Sequence, residues 1–583
     1  MPSLHDRSAS LRRALSLLAG SASLFAAASA AAQSVPNAGS LLNEQRSTAT
    51  TPRPVPEAAP VIAVPETRTA VPAGEVSVTI RAITFSGDTA LADSEALVER
   101  TREAIGRTLD HPGLQALADG VTRYLRARGY ALAYAYLPRQ DVTEGSVTIA
   151  IVGGRLAGAD AVTVVGRTRI DQHRLTAPIV RATRRDAPLR TAELERAMLL
   201  VNDLPGITAR ATLEPGSRTG TSRLVLQAEE APLIGSELSI DNYGSPSTGM
   251  LRTGAGLRLN DPLRIGDEAA LGARFTSGST LVNGLYALPL SASGLRLTLG
   301  GNYLDYRVDQ PRFRSLSLAG SATAASAQLG YPVVRSRAGN LYATAGYEHL
   351  ALKDRARGIG ISNRRIDAVT LGLTGDGFDS FGRGGLSEAA VTLTVGGADL
   401  SRNRDQLLVD RLTARVDGTY LKATGRLSRT QTLDAADRWT LFAGLSGQMA
   451  NRNLDSSQKF LSGGPSGVRA YSVGEGIGDE GVLGTLELRR LIPAPPLKAT
   501  LQLLAFVDGA RLWLNDQPWQ GAARDNDRGL YAAGIGLNAA GEHWSIHTAV
   551  ARRIGGDVRQ DTLLVGPTDT SDWRGWFQAA VRF

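Results

Sequence analysis

The chain has 583 residues, a length that predicts several domains rather than one. It contains no cysteine, which excludes disulfides, thiolate metal sites and cysteine nucleophiles. The formal net charge is +8, but the basic residues are interspersed with acidic ones and form no long blocks. This pattern argues against nucleic acid as a partner and favours a basic surface that faces the anionic headgroups of membrane lipid.

Residues 1–32 have the three parts of a secretory signal peptide. Arg7, Arg12 and Arg13 are basic, Ala14–Ala28 is apolar, and Ala30–Ala32 supplies a small-residue cleavage site. The alternative is an uncleaved membrane anchor, but the apolar part is short and rich in small residues. No later window of about 18 apolar residues follows, so the sequence predicts no further membrane-spanning helix.

Residues 33–50 contain a candidate short helix, Pro36–Arg46. Residues 51–75 are rich in proline, alanine and valine and show no periodicity. Such a composition cannot bury enough apolar surface to fold, so we predict an extended linker. The alternative is an N-terminus that is disordered throughout.

Residues 76–156 predict a first small α/β unit. Val76, Val78 and Ile80 alternate with polar residues as in a half-buried strand that bulges or ends near Ala82. The helices and strands that complete the unit are predicted over 94–105, 114–128, 131–137 and 147–152.

Residues 160–231 repeat this plan in a second α/β unit. A strand is predicted at its start, a helix in its middle and two strands at its end, paired around Pro215-Gly216. These elements cover 162–165, 193–204, 209–213 and 223–227.

Residues 232–583 alternate between apolar and polar side chains in short runs, and from Glu237 onward no convincing amphipathic helix interrupts them. At roughly 22 residues per strand and connection, the region holds about 16 strands, an even number that suits a closed barrel. In the last strand Phe577, Val581 and Phe583 share one face. An apolar outer face of this kind is typical of a strand that crosses a membrane.

A glycine-rich segment, Gly463–Tyr471, carries Arg469 and is followed by acidic residues. Its charges need partners or water, so it cannot be a core element. The pattern indicates a long loop folded back into a wet, enclosed lumen. In a later strand, Leu501, Leu503, Ala505 and Val507 alternate on the outward face, which places Asp508 on the inner wall. The adjacent Gly509 has no side chain and so lets another segment of the chain come close to Asp508.

The loop sequence Val468-Arg469-Ala470-Tyr471 resembles the V-R-G/A-Y/F signature of the TpsB transporters of two-partner secretion, members of the POTRA plus β-barrel superfamily. The two α/β units resemble POTRA domains, for example at Gly129-Tyr130 and at Asn202–Gly206. Phe506-Val507-Asp508 is similar to the F-x-D pattern on the inner wall of this family. Ala470 stands where many members have glycine, which leaves the detailed loop geometry open.

This resemblance implies a transmembrane β-barrel of about 16 antiparallel strands in the outer membrane, preceded by two small α+β POTRA domains in the periplasm. It also implies a latch in which Arg469 of the loop, flanked by Val468 and Tyr471, pairs with Asp508 and holds the loop inside the pore. The alternative is two solvated lumenal charges, worth under about 1 kcal/mol together. If the pair is largely dry, removal of one partner costs roughly 3–5 kcal/mol.

The implied function is a pore that recognises an unfolded exoprotein in the periplasm and translocates it to the cell surface. In this family a short N-terminal helix plugs the barrel, which assigns that role to the stretch around Leu41 and Leu42. The implied cargo is a hemolysin or a filamentous adhesin-like protein. Transport would draw free energy from folding of the cargo outside the cell.

The sequence offers no support for an enzyme, a cofactor or a metal site. It has no phosphate-binding G-x-x-x-x-G-K-[ST] loop and no G-x-S-x-G elbow. His543 and His547 are four residues apart in a region that alternates as a strand, so they do not form a helical metal pair. Two other functions stay open: a barrel-assembly factor, which shares POTRA units and the loop arginine, and a passive porin, which has no need for two periplasmic modules.

Overall fold

The computed structural model describes residues 35–47, 62–63, 77–130, 132–156, 161–183, 187–218, 220–522, 525–556 and 571–583. The predicted signal peptide and most of the predicted linker lie outside these ranges and stay predictions. The first described elements are helix α1 (Ala38–Ser47) and the two-residue strand β1 (Ile62–Ala63).

The first α/β unit packs two helices against a three-stranded sheet. Its elements are β2 (Val78–Thr79), β3 (Ala82–Gly87), a 3-10 turn (Thr89–Leu91), α2 (Ser94–Arg102), β4 (Thr108–Leu109), α3 (His111–Ala127), β5 (Tyr134–Tyr136) and β6 (Ser146–Val152). The predicted first strand is divided because β2 pairs with β4, whereas β3 runs parallel to β6. The predicted strand over 131–137 is wrong in extent, since only three of its residues pair.

The second unit has the same plan with one helix more than predicted. Its elements are β7 (Arg155–Leu156), β8 (Val162–Val165), α4 (Gln172–Ala182), α5 (Thr191–Asn202), β9 (Ile207–Pro215) and β10 (Thr221–Glu230). Helix α4 escaped prediction because Pro178 lies inside it; the Asp171 side chain caps it by accepting from the amide of His173 at 2.9 Å. In the sheet, β9 lies between β10 and β1.

Sixteen antiparallel strands form a closed barrel, which confirms the predicted fold class. The last strand pairs with the first, Glu237–Asp241 against Gln578–Arg582. Two further short strands, β22 (Phe460–Leu461) and β23 (Ile477–Gly478), pair with each other within one loop. The barrel strands are β11 (Ile234–Asp241), β12 (Arg252–Asn260), β13 (Glu268–Phe275), β14 (Ser279–Pro289), β15 (Arg296–Arg307), β16 (Ala319–Arg335), β17 (Gly339–Ala356), β18 (Ile359–Asp379), β19 (Gly385–Asp399), β20 (Gly418–Thr432), β21 (Trp439–Ala450), β24 (Glu480–Ala494), β25 (Ala499–Trp513), β26 (Asp527–Gly541), β27 (Trp544–Gly556) and β28 (Trp573–Arg582).

The second α/β unit rests on the turns at one end of the barrel. The amide of Asp171 donates to the carbonyl of Arg264 at 3.2 Å, and the Arg335 guanidinium lies 2.7 Å from the Asp203 carboxylate. Because the chain enters β11 from this unit, the strand connections alternate between this end and the opposite end. The loop that carries Arg469 starts from the opposite end.

The prediction of a barrel region without helices is wrong at one place. Helix α6 (Arg404–Leu412) lies in the connection from β19 to β20, with the Asn403 side chain as its N-cap. Asp410 accepts hydrogen bonds from the amides of Val416 and Asp417, at 2.9 and 3.0 Å, and so closes the loop behind the helix. Nine residues are too few for a clear helical period.

Among the residues that the structure describes, no helix is long and apolar enough to cross a membrane.

The outer face of the barrel carries a band of exposed hydrophobic side chains, whereas the neighbouring residues along each strand point into the lumen. On β19, Leu393 is 50% exposed and pairs with Leu371 of β18. The adjacent Thr392 lines a lumenal cavity together with Thr424 and Ser446. This alternation is what a bilayer requires of a strand with lipid outside and water inside.

Leu393→Arg should lower the yield of folded barrel, because an arginine on the lipid face near the middle of a strand costs about 2–4 kcal/mol. Thr392→Arg places the same charge one residue away in the lumen and should leave the yield near that of the wild type. The measurement is the fraction of unboiled protein that runs at the folded position in an electrophoretic gel. Equal losses in the two variants would contradict this assignment of faces.

Candidate functional site

The loop between β21 and β24 folds back on itself inside the lumen; we call residues 462–476 the lumen loop. Pairing of β22 with β23 forms its neck. Beyond the neck, the amide of Val468 donates to the carbonyl of Ser462 at 2.6 Å, and the amide of Gly464 donates to the carbonyl of Tyr471 at 3.0 Å. A Cβ atom at Gly467 would lie 2.1 Å from the Ser462 carbonyl oxygen. Glycine is required there because the backbone comes too close to itself for any side chain.

The structure brings the two predicted charges together. Arg469 Nε lies 2.9 Å from Asp508 Oδ2 and Arg469 Nη2 lies 2.7 Å from Oδ1, a bidentate pair. The Arg469 amide also donates to Asp508 Oδ2 at 3.1 Å. Asp508 is 1% exposed and Arg469 is 9% exposed, so the pair is largely dry. The geometry therefore differs from that of two solvated charges.

Three wall residues complete the surroundings of Arg469. Thr485 Oγ1 donates to Asp508 Oδ1 at 2.6 Å, and Glu487 Oε1 lies 2.7 Å from Arg469 Nη1. The guanidinium carbon lies 3.3 Å from the centroid of the Phe506 ring, a cation–π contact. With two carboxylates and a ring around it, the arginine has the partners that a buried charge needs.

The rest of the lumen loop is held by the last two strands. Tyr471 Oη donates to the carbonyl of Gly555 at 2.8 Å, and Trp576 Nε1 donates to the carbonyl of Arg469 at 2.6 Å. Arg553 of β27 donates through Nε to the carbonyl of Ala470 at 3.2 Å and lies 3.2 Å from a Glu475 oxygen. Its guanidinium carbon lies 4.4 Å from the centroid of the Tyr471 ring.

Two of the residues flanking Arg469 are almost fully buried, in keeping with this packing. Val468 and Tyr471 join a hydrophobic cluster with the inward face of β25. Ala470 keeps a negative φ, so the backbone there does not need glycine. The substitution of glycine by alanine in the signature is therefore compatible with the loop conformation.

Helix α1 lies inside the barrel, and its N-terminus is docked on charged wall residues. The amide of Ala38 donates to Asp354 Oδ1 at 2.7 Å, and Asn37 Oδ1 caps the helix by accepting from the amide of Gly39 at 3.0 Å. Arg364 binds Asp354 at 2.9 Å and Asp455 at 2.5 Å, and it donates to Asn37 Oδ1 at 3.2 Å. One buried guanidinium thus joins the barrel wall, the helix cap and the segment that leads into the lumen loop.

The middle of α1 is apolar on the side that meets the wall. Leu41 and Leu42 are 2% and 1% exposed and pack in one cluster with wall residues that include Leu304, Leu350 and Ile366. These two leucines are the residues that the sequence proposed for the helix.

Polar contacts hold the C-terminal half of α1 on both sides of the lumen. Arg46 lies 2.8 Å from Glu348 of β17, and Gln45 accepts from Arg252 of β12 at 3.1 Å. On the side of the lumen loop, a Cβ atom at Gly474 would lie 2.5 Å from the Glu44 carboxylate. The helix and the lumen loop therefore pack against each other.

Sequence reasoning missed several residues of this site. Thr485, Arg553 and Arg364 stand at inward positions of their strands, but alternation alone does not separate a loop-binding residue from any other lumenal side chain. Alternation in the last strand puts Trp576 on the face opposite Phe577, which is compatible with its hydrogen bond to the carbonyl of Arg469 but does not by itself predict it.

Comparison with known proteins gives consistent results over most of the chain. A POTRA domain of the ShlB type matches residues 78–154. The heme/hemopexin transporter protein HuxB of Haemophilus influenzae is 25% identical, over 80% of this chain and 81% of its own length. The outer membrane transporter CdiB of Dickeya dadantii is 25% identical, over 84% of this chain and 85% of its own length.

Solved structures share the fold. CdiB from Escherichia coli superposes with a TM-score of 0.68 at 20% identity, covering 100% of this chain and 99% of its own. BamA from Haemophilus ducreyi, in a form that lacks POTRA domains 1–3, gives a TM-score of 0.50 at 17% identity, with coverage of 87% and 100%. At these identities the likeness concerns the fold alone.

The profile of the haemolysin secretion/activation protein family ShlB/FhaC/HecB matches residues 220–539. That match spans 320 residues (539 − 220 + 1), more than half of the 583. The chain therefore belongs to this family, the TpsB outer-membrane transporters of two-partner secretion.

Proposed function

We propose that the chain accepts one unfolded exoprotein, a hemolysin or a filamentous adhesin-like protein, and passes it through a lumen that helix α1 and the lumen loop close at rest. The barrel lies in the outer membrane with its apolar band against lipid, and the POTRA domains face the periplasm. The observation that carries the proposal is that two segments of the chain lie in the lumen and that each is held by buried charged residues. The N-terminus of α1 is hydrogen-bonded to Asp354 and Arg364 of the wall, and the lumen loop is held by the Arg469–Asp508 ion pair. A passive porin needs no such removable parts.

In this proposal Arg469 and Asp508 form one latch that keeps the lumen loop against the wall. Their bidentate, largely dry pairing supports this role. Loss of Arg469 leaves the Asp508 carboxylate buried without its counter-ion, which costs roughly 3–5 kcal/mol. Loss of Asp508 leaves the Arg469 guanidinium with Glu487 as its one carboxylate and removes the acceptor of the Arg469 amide. The loop then becomes mobile in the lumen.

Arg469→Ala and Asp508→Ala should each lower secretion by roughly tenfold or more, and the double variant should be little worse than either, because both remove the same interaction. The measurement is secreted exoprotein per folded transporter. Arg511→Ala serves as the control. Arg511 lies on β25, the strand of Asp508, but it pairs with Asp527 where both side chains are exposed. Exposed ion pairs contribute about 1 kcal/mol or less. Additive losses would mean that the two residues act separately.

Helix α1 acts in this proposal as a plug whose N-terminal anchor is Arg364. Arg364→Ala leaves Asp354 and Asp455 buried without the cation between them and should release the helix. We expect more frequent channel opening in planar bilayers, and deletion of residues 36–46 should give the same open conductance. The neighbouring Arg365 is exposed, so Arg365→Ala should behave as the wild type. Unchanged opening in the deletion variant would show that the helix does not block the lumen.

The function as a whole is tested with a hemolysin or filamentous adhesin-like exoprotein, taken from next to this chain where one is encoded there. Cells that produce both proteins should release the exoprotein, and cells that lack the transporter should retain it in the periplasm. A barrel-assembly factor predicts a different result, in which loss of the chain lowers the amounts of other outer-membrane barrels and leaves release of the exoprotein unchanged.

A further inference from the structure

Strands β17 and β18 extend beyond the part of the barrel that crosses the membrane. They have 18 and 21 residues. At about 3.3 Å per residue and a tilt near 40°, β17 rises roughly 45 Å along the barrel axis, whereas the apolar band of such a barrel is about 25 Å tall. The outward residues of β17 are apolar near its start, at Leu341 and Ala343, and basic near its end, at Lys353 and Arg355. The excess therefore lies at the end opposite the POTRA domains, on the cell-surface side.

Exposed tyrosines mark the height at which the hydrocarbon ends on this face. Tyr303 of β15 and Tyr347 of β17 are 49% and 48% exposed, whereas Leu304, next to Tyr303, points into the lumen and is buried. Aromatic residues form girdles at the two boundaries of a membrane barrel. Arg307 lies four residues beyond Tyr303 (307 − 303) and Lys353 six beyond Tyr347 (353 − 347), which is roughly 10–15 Å past that boundary. At this height long basic side chains reach the polar headgroups of the outer leaflet.

Three cations share the outward face of β15 and β17 at this height, and we call Arg307, Lys353 and Arg355 the basic rim. All three residues are exposed. In the strand pairing, Arg307 and Arg355 lie on either side of Ala319, and Lys353 lies opposite Ser321. The backbones of the two arginines are therefore two strand spacings apart, about 10 Å, with only small side chains between them. The rim is a shallow basic surface that a headgroup with several negative charges can reach.

Neighbouring carboxylates do not offset the charge of the basic rim. Within the part of the chain that the structure describes, none of its three side chains forms an ion pair or a hydrogen bond. Other exposed arginines at this end are balanced: Arg511 pairs with Asp527, and Arg365 lies opposite Asp399 in the pairing of β18 with β19. Asp305 is the single carboxylate among the outward residues of β15, β16 and β17 beyond the tyrosines, so this face keeps a net charge of +2 (3 − 1).

We propose that the basic rim binds the phosphate groups of lipid A, the phosphorylated glycolipid in the outer leaflet of a bacterial outer membrane. Guanidinium and ammonium groups recognise phosphate through charge-assisted hydrogen bonds. Lipid A carries two phosphates on one disaccharide, which suits cations about 10 Å apart on one face of a sheet. A zwitterionic phospholipid offers one phosphate beside a cation of its own and complements the rim less well. Lipid binding at the rim requires no exoprotein and so does not depend on the proposed function.

Removal of the three charges tests the site in the membrane where the protein works. Each Lys or Arg near an anionic membrane surface strengthens binding by about fivefold. Arg307→Gln, Lys353→Gln and Arg355→Gln together should therefore lower the lipid A bound to the transporter at least about tenfold. The measurement is the amount of lipid A, determined by mass spectrometry, that copurifies with the folded barrel when outer membranes are extracted in a mild detergent.

The matched control removes three exposed arginines at the periplasmic end of the barrel. Arg383 and Arg438 lie in the turns from β18 to β19 and from β20 to β21, and Arg490 lies near the end of β24. Arg383→Gln, Arg438→Gln and Arg490→Gln together change the net charge equally, but these positions face the inner leaflet, which holds no lipid A. This variant should retain as much lipid A as the wild type. Equal retention by the two triple variants, or equal loss from both, would overturn the site.

Binding by the wild-type protein decides the question even where a variant folds poorly. The purified full chain in nonionic detergent should bind lipid A at least about tenfold more tightly than dephosphorylated lipid A. The difference should shrink when salt is raised from about 0.1 M to about 1 M, because the screening length falls from about 10 Å to about 3 Å. Equal affinity for the two forms of lipid A would refute phosphate recognition. Equally tight binding of phosphatidylglycerol would refute the assignment to lipid A, since any anionic lipid would then suffice.

Discussion

Pairing of β11 with β28 closes the barrel, and the other features of the lumen follow from that closure. Hydrocarbon offers no water to an open strand edge, so every backbone group of a membrane-spanning sheet must find a partner within it. Glu237–Asp241 and Gln578–Arg582 supply the last of these pairings. A cylinder of this many strands is too wide to be filled by its own wall side chains. Water or other segments of the chain must occupy it, and in this barrel α1 and the lumen loop take much of the space.

Both segments are held by buried charges, in opposite arrangements. Arg364 belongs to the wall and reaches a helix cap, whereas Arg469 belongs to the loop and reaches a carboxylate of the wall. A buried ion pair stabilises a fold less than well-packed apolar residues of the same volume. It has a different advantage in a pore, because the charges can be hydrated once the segment has moved and water has entered. An apolar contact of the same size would instead leave a hydrophobic surface of the wall exposed along the path of the exoprotein.

Much of this architecture could be predicted from the sequence because strand alternation and family motifs carry it. The number of barrel strands, the inward direction of Asp508 and the approach of Arg469 to it all follow from those patterns. Helix α6 could not be predicted because nine residues in a loop give too short a period. The pairing of Ile62 with Ala211 was equally hidden, since a four-residue apolar run between prolines has no marked partner in the sequence. Contacts of Arg364 with Asn37 and Asp455 depend on three distant segments that only the folded barrel brings together.

The positions of the wall contacts have a consequence for how the pore can open. The lumen loop is bound by Thr485, Asp508, Arg553 and Trp576, on a continuous arc of wall from β24 to β28. Helix α1 packs against β15, β16 and β17, on a separate arc. Within the proposed function, departure of one segment would remove its contact with the other at Gly474 and Glu44 but would leave the wall contacts of the other in place, so the cross-section would widen in two steps. A thin extended chain would then pass after the first step, and a bulkier hairpin would need both.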